Sequence, residues 1–184
     1  NGGQWHEVAT QLIGAYNLDN ALAAVLVGLT YNVHVASIDK ALRNYAPHNN
    51  RSEYRKTEHN RLIIDAYNAN LSSMHAALHS FAQTEDAHKM MILGDMRELG
   101  DASADAHKEV LQLALTTGSQ QVWVVGREFA QALTTLSTNE AALFRTFPDV
   151  EAVKAELQAH PLSEQLILIK GSNGTRLFQL PELL

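Results

Sequence analysis

Short unbroken apolar runs occur at residues 62–64, 90–93, 122–125 and 166–169. Between them lie stretches in which apolar positions recur every three or four residues, at 71–83, 103–116, 127–136 and 149–159. A continuous run of four or five apolar residues predicts a strand buried on both faces, and the longer period predicts an amphipathic helix. A weaker run at 143–147 adds a strand, and a terminal helix is expected after residue 170. "SEYRKT" (52–57) and "RLIID" (61–65) flank "EHN" and predict a β-hairpin. Strands alternating with helices predict an α/β fold: a doubly wound, Rossmann-like, mostly parallel sheet with helices on both faces.

The first 48 residues have a different pattern. Residues 8–13, "VATQLI", are expected to form a strand. Asn17-Leu18-Asp19-Asn20 then leads a helix with apolar residues at Leu22, Val25, Leu26 and Leu29. A second helix, 36–45, carries Ile38, Ala41, Leu42 and Tyr45 on one face before "APHNN" (46–50) breaks the period. This region is too small to be a domain by itself, so the chain divides into residues 1–48 and 49–184. No internal repeat or low-complexity segment is present.

Composition narrows the classes of partner. The chain has 184 residues, 46% of them hydrophobic, and a formal net charge of -6. No basic cluster stands out, which argues against a nucleic-acid surface or an anionic membrane. With no cysteines, disulfides and thiolate metal sites are excluded. The longest apolar stretch, "ALAAVLVGL" (21–29), is too short to span a bilayer. No signal-peptide pattern is found, so the expected location is the cytoplasm. The nine histidines lack metal-ligand spacing. His75 and His79 share a helix face, but no acid completes a set, and no metal site is expected. His107 is expected to brace the loop at 94–100.

Ligands of open α/β sheets sit beyond the carboxyl ends of the strands. Four predicted strands end there in polar or glycine-rich loops: Asp65 to Asn70, Gly94 to Glu98, Gly126-Arg127, and Lys170 to Thr175. Any one of these could be an ordinary strand-to-helix turn, with Asn70 or Ser72 as a helix cap. Asp65 and Lys170 fit that account least well, because a charge at the end of a buried strand is costly unless paired.

"DAYNAN" (65–70) followed by "SMHAAL", "ILGDMRELG" (92–100), "IKGSNGTRL" (169–177) and "GAYNLDNALAA" (14–24) together resemble the Mur ligase family, in that order along the chain. "LGDMRELG" resembles the members that add D-alanyl-D-alanine to a UDP-N-acetylmuramoyl tripeptide. The resemblance implies that residues 1–48 correspond to the end of a central ATP-binding domain and 49–184 to the domain that brings the dipeptide. The chain holds no G-x-x-x-x-G-K-[ST] phosphate loop, so it is expected to be a C-terminal fragment, inactive alone.

The resemblance also implies roles for residues. Asp65 would contact the ATP ribose, with Tyr67 and Asn68 on the same edge; Asn17 and Asn20 would lie near the adenine. Asn17 serves equally well as a helix N-cap. Arg51 would reach the terminal phosphate and act catalytically, as a guanidinium stabilises a phosphoryl group in transfer. Asn70, Asp95, Glu98, Lys170, Ser172 and Asn173 would face the dipeptide, with Lys170 for its carboxylate and Asp95 for its ammonium. Three positions depart from the family: Tyr16 replaces a usual His, Leu71 a common Pro, and Asn173 a frequent Arg. The implied reaction phosphorylates the tripeptide carboxylate with ATP and Mg2+, and the dipeptide amine then attacks the acyl phosphate. A folylpolyglutamate synthase-like ligase domain and a non-catalytic α/β binding module are the alternatives.

Overall fold

The computed structural model describes residues 5–184. Six strands form one sheet: β1 (Glu53–Lys56), β2 (Arg61–Asp65), β3 (Lys89–Gly94), β4 (Gln121–Val125), β5 (Phe144–Phe147) and β6 (Leu166–Lys170), in the order β1-β2-β6-β3-β4-β5. Only β1 runs antiparallel, joined to β2 by the expected hairpin; the other four pairings are parallel.

The apolar runs work because successive side chains on a strand point to opposite faces. Ile63, Met91, Leu93, Val122, Val124, Leu166 and Leu168 pack on one side. There they meet α3 (Leu71–Ala82), α4 (Ser103–Ala114) and α5 (Arg127–Leu133) through Met74, Leu78, Phe81, Leu111 and Phe129. Leu62, Ile64, Met90, Ile92, Val125, Ile167 and Ile169 face the other side. That side is covered by α7 (Val150–Ala159) and a 3-10 helix, Leu177–Leu183. The α/β, doubly wound reading is therefore correct.

Two local expectations fail. Residues 8–13 are not a strand, because no described strand lies beside them to pair with. Side chains tether this stretch to α2 (Val35–Asn44) instead: Gln11 donates to the Arg43 carbonyl, and Arg43 donates to the Glu7 carbonyl. The expected terminal helix is present as a 3-10 helix with Pro181 inside it; proline supplies no N–H to an α-helical ladder. The predicted helix 127–136 stops at Leu133. The hydroxyls of Thr134 and Thr135 bond back to the Gln131 and Ala132 carbonyls, competing with helix propagation. A short helix α6 (Thr138–Ala141) follows, capped reciprocally by Ser137 and Glu140.

A buried lysine escaped the sequence reading. Lys89 Nζ donates to the carbonyls of Phe81, Ala82 and Thr84 at 3.1–3.2 Å. It closes the C-terminus of α3, where carbonyls lack helical partners and a cation is favoured.

Both cores draw their buried residues from 62 onward, while α1 (Leu18–Thr30) buries none. Leu18, Leu22, Leu26, Val27 and Leu29 are exposed on α1. We propose that residues 49–184 are the folding unit and that the α1 face drives self-association. Deleting residues 1–48 should leave one cooperative thermal transition and lower the sedimentation coefficient's dependence on concentration. Loss of cooperativity would place the early helices in the core.

Candidate functional site

The strand order puts β6 between β2 and β3, with Lys170 in register beside Asp65. Lys170 Nζ lies 2.5 Å from Asp65 Oδ2. The lysine side chain is 1% exposed and the aspartate 15%. Asp65 thus neutralises a cation that would otherwise be buried alone at the end of the sheet. Its other oxygen accepts from the Ser52 N–H at 3.4 Å. The Ser52 hydroxyl in turn meets the Tyr16 hydroxyl at 2.9 Å. Burial raises the Tyr16 pKa; the Ser52 hydrogen bond opposes that shift, and the Asp65 charge adds to it.

These contacts fix the segment before β1. Asn50 and Ser52 both have left-handed backbones, with φ of 58° and 49°. A non-glycine residue in that region costs about 1–3 kcal/mol, so the neighbouring bonds must hold it. Arg51 stands between them, its guanidinium carbon 3.8 Å from the centre of the half-exposed Tyr67 ring. Asn17 is buried and does not cap α1 through its side chain. Its amide donates to the Ile13 carbonyl at 2.7 Å and accepts from Asn20 at 2.9 Å. Asn17, Asn20, Arg51, Ser52 and Tyr67 line one cleft of about 820 Å³, bounded on the other side by Ile38 and Tyr45 of the early region. Asn68 lies on the loop beside the cleft, exposed, its side-chain oxygen accepting from the Ala69 N–H at 2.8 Å.

The residues expected to face a dipeptide gather at the same sheet edge, but most already have partners. Asn70 caps α3 and forms a capping box with Ser73. Asp95 serves backbone groups: its two oxygens accept from the Phe129 and Glu128 N–H groups at 3.0 and 3.1 Å. It thereby caps α5, where the helix dipole favours an anion. Gly126 makes room for it, since a Cβ there would lie 2.2 Å from Asp95 Oδ2, and its φ of 123° suits glycine. Lys170 likewise has a partner already, buried against Asp65. Ser172 is buried and joins three loops: its hydroxyl accepts from the Arg97 N–H at 2.9 Å and donates to the Ala69 carbonyl at 3.4 Å. Its own N–H donates to the Asp95 carbonyl. Glu98 and Asn173 remain exposed, Glu98 with a φ of 64°.

His107 is fully buried and braces the β3 loop. Its Nε2 accepts from the Met96 N–H at 3.0 Å, and Nδ1 lies 2.7 Å from the Ser103 carbonyl. That pattern requires the proton on Nδ1. Beside the histidine pair on α3, Glu109 lies 2.8 Å from His75. Among the described residues, however, no three histidine or carboxylate side chains converge on a point that could hold a metal ion.

Sequence reasoning passed over Ser52 and Arg97 and met Tyr16 only as a departure from the family. The contacts of Ser52 and Tyr16 carried no signal without the strand order, which alone shows that Lys170 is the neighbour of Asp65.

A mostly parallel sheet with polar loops joined at its carboxyl edge defines a doubly wound α/β domain, the class in which ligands sit at that edge. Residues 50–173 match the family described as "Mur ligase, glutamate ligase domain", and the chain belongs to that family. It is 31% identical over 183 residues to the UDP-N-acetylmuramoyl-tripeptide--D-alanyl-D-alanine ligase of Treponema pallidum, covering 99% of this chain and 39% of that protein. A crystal structure of MurF from Acinetobacter baumannii superimposes with a TM-score of 0.82 at 28% identity, over 95% of this chain and 39% of that one. The MurF ligase of Thermotoga maritima, solved in complex with ADP, has the same fold: TM-score 0.75, 20% identity, 94% of this chain and 38% of that one. The chain therefore spans about two fifths of the length of these relatives. None of its described helices is long and apolar enough to cross a membrane.

Breaking the Asp65–Lys170 pair should be expensive. Lys170→Met leaves an uncompensated carboxylate, and removing one partner of a buried pair costs about 3–5 kcal/mol. Adding Asp65→Asn to that variant should recover part of the loss. Urea unfolding of the two single variants and the double variant provides the test; simple additivity would mean the charges are uncoupled.

Proposed function

We propose that this chain is the C-terminal part of an ATP-dependent ligase that joins D-alanyl-D-alanine to a UDP-N-acetylmuramoyl tripeptide. One observation carries the reading: Asn17, Asn20, Arg51 and Tyr67, from both regions of the chain, line a single cleft beside the Asp65–Lys170 pair. Sequence likeness to ligases of that name over nearly the whole chain supports it.

The cleft fits a nucleotide chemically. An amide pair offers both donor and acceptor to a base edge, an exposed aromatic face is available, and an exposed guanidinium can meet phosphate. In this reading Asn17 and Asn20 lie toward the adenine and Asp65, with its remaining exposure, toward the ribose. Tyr67 and Asn68 flank them. Arg51 takes the terminal phosphate. ATP supplies the phosphoryl group that turns the tripeptide carboxylate into an acyl phosphate. Most Mg2+ ligands lie outside this chain, as do the groups that read the tripeptide. The loops joined at Ser172 present the dipeptide, with Glu98 and Asn173 as the solvent-facing members of the expected set. The early region, residues 1–48, acts as the end of a central ATP-binding domain, and residues 49–184 act as the dipeptide domain. A cytoplasmic location follows from the precursors such an enzyme would use.

Arg51 acts on the phosphoryl group in this reading, yet it is held only by the Tyr67 ring and its backbone neighbours. In the full-length ligase Arg51→Ala should lower kcat by roughly 10³-fold, the low end for a guanidinium at a transferring phosphoryl group, without shifting the unfolding temperature. An unchanged kcat would remove Arg51 from the chemistry. The 184-residue chain, lacking a phosphate loop, should release no phosphate from ATP above background with dipeptide and Mg2+ present. Phosphate release that depends on this chain would overturn the reading of it as one part of the catalytic machinery.

A further inference from the structure

We infer that Arg97 holds the carboxylate of the incoming dipeptide. The inference rests on the proposed ligase reading and names a residue that the sequence did not single out. A dipeptide presents one carboxylate, which needs a cation or several N–H donors in the water-facing part of the site. The cation at the strand end, Lys170, is buried and bound to Asp65. Asn173, exposed two residues after the glycine that follows it, is uncharged.

Arg97 is better placed than either. Its backbone is held on both sides: the Arg97 N–H donates to the buried Ser172 hydroxyl at 2.9 Å, and the preceding Met96 N–H donates to His107 at 3.0 Å. Its head is free. The guanidinium is exposed, makes no ion pair among the described residues, and has one acceptor, the Gly174 carbonyl at 3.4 Å. Most of its N–H groups are therefore available, in the planar fork that matches a carboxylate. Gly174 provides the seat. A Cβ at that position would lie 2.5 Å from Arg97 Cζ and 2.7 Å from Nε. The guanidinium thus rests on the loop carrying Ser172 and Asn173. Arg127, also exposed at this edge, stands beyond β4, two strands from β6, and already neighbours Glu128 at 3.5 Å.

The test uses the full-length ligase with D-alanyl-D-alanine and D-alanyl-D-alaninamide, which lacks the negative charge. Wild type should prefer the acid by roughly tenfold or more in kcat/KM, as expected for a charge-assisted hydrogen bond. Arg97→Ala should raise KM for the acid by a similar factor, leave KM for ATP unchanged and abolish the preference. Arg97→Lys should restore part of it. Gly174→Ala, which pushes the guanidinium off its seat without removing it, should fall between wild type and Arg97→Ala. Persistence of the full acid preference in Arg97→Ala overturns the inference while leaving the ligase reading intact. Failure of wild type to ligate the dipeptide at all overturns the ligase reading and the inference with it.

Discussion

A lysine that ends a central strand inside a protein must find an anion or a set of acceptors, and this requirement organises the edge of the sheet. Lys170 finds Asp65 because β6, the last strand in sequence, inserts beside β2. The carboxylate has a second oxygen, which takes the Ser52 N–H and so fixes the turn before β1. Ser52 reaches Tyr16 in the early region. On the other side, Lys170 leads directly into Gly171 and Ser172, where the loops after β2, β3 and β6 meet. One buried ion pair thus joins the cleft that holds Arg51 to the loops that hold Arg97. An apolar pair of the same volume could stabilise the sheet equally well. It could not orient the Ser52 amide, nor therefore the strained segment on which Arg51 sits.

Close approach of backbone supports this arrangement elsewhere on the same edge. Gly171 could not carry a side chain: its Cβ would lie 2.9 Å from the Gly94 Cα. Gly126 gives way to Asp95 in the same manner. Each glycine allows a loop to meet its neighbour, and each meeting is completed by a side-chain bond to backbone, Asp95 to α5 and Ser172 to the β3 loop; His107 adds a third such bond, to Met96. The resulting edge is preorganised, which reduces the ordering that a ligand would otherwise have to impose.

The elements were legible in the sequence because parallel strands buried on both faces leave unbroken apolar runs, as at 90–93 and 166–169. Strand order was not legible, since nothing in "LILIK" says which neighbours it takes. That gap hid the partners of two strand-end charges. A charge at a strand end demands a partner, and for Asp95 and Lys170 the partners, the α5 N-terminus and Asp65, lie 33 to 105 residues away along the chain. Residues 8–13 misled for a related reason: an apolar segment reads as a strand whether or not a neighbouring strand is present to receive it. Asn70 was ambiguous and proves to cap a helix.

Saturation of hydrogen-bonding capacity separates the polar residues of this edge into two groups. Asn70, Asp95, Lys170 and Ser172 are bound to backbone or to an opposite charge, and moving any of them toward a ligand would orphan the group it serves. Displacing Asp95, for example, would strip the α5 N-terminus of its anion and leave two N–H groups without acceptors. Arg51, Tyr67, Glu98, Arg97 and Asn173 have capacity left and face solvent. A ligand at this edge can bind the second group without dismantling the first. The buried residues therefore determine where the exposed ones stand, and the exposed ones determine what can bind.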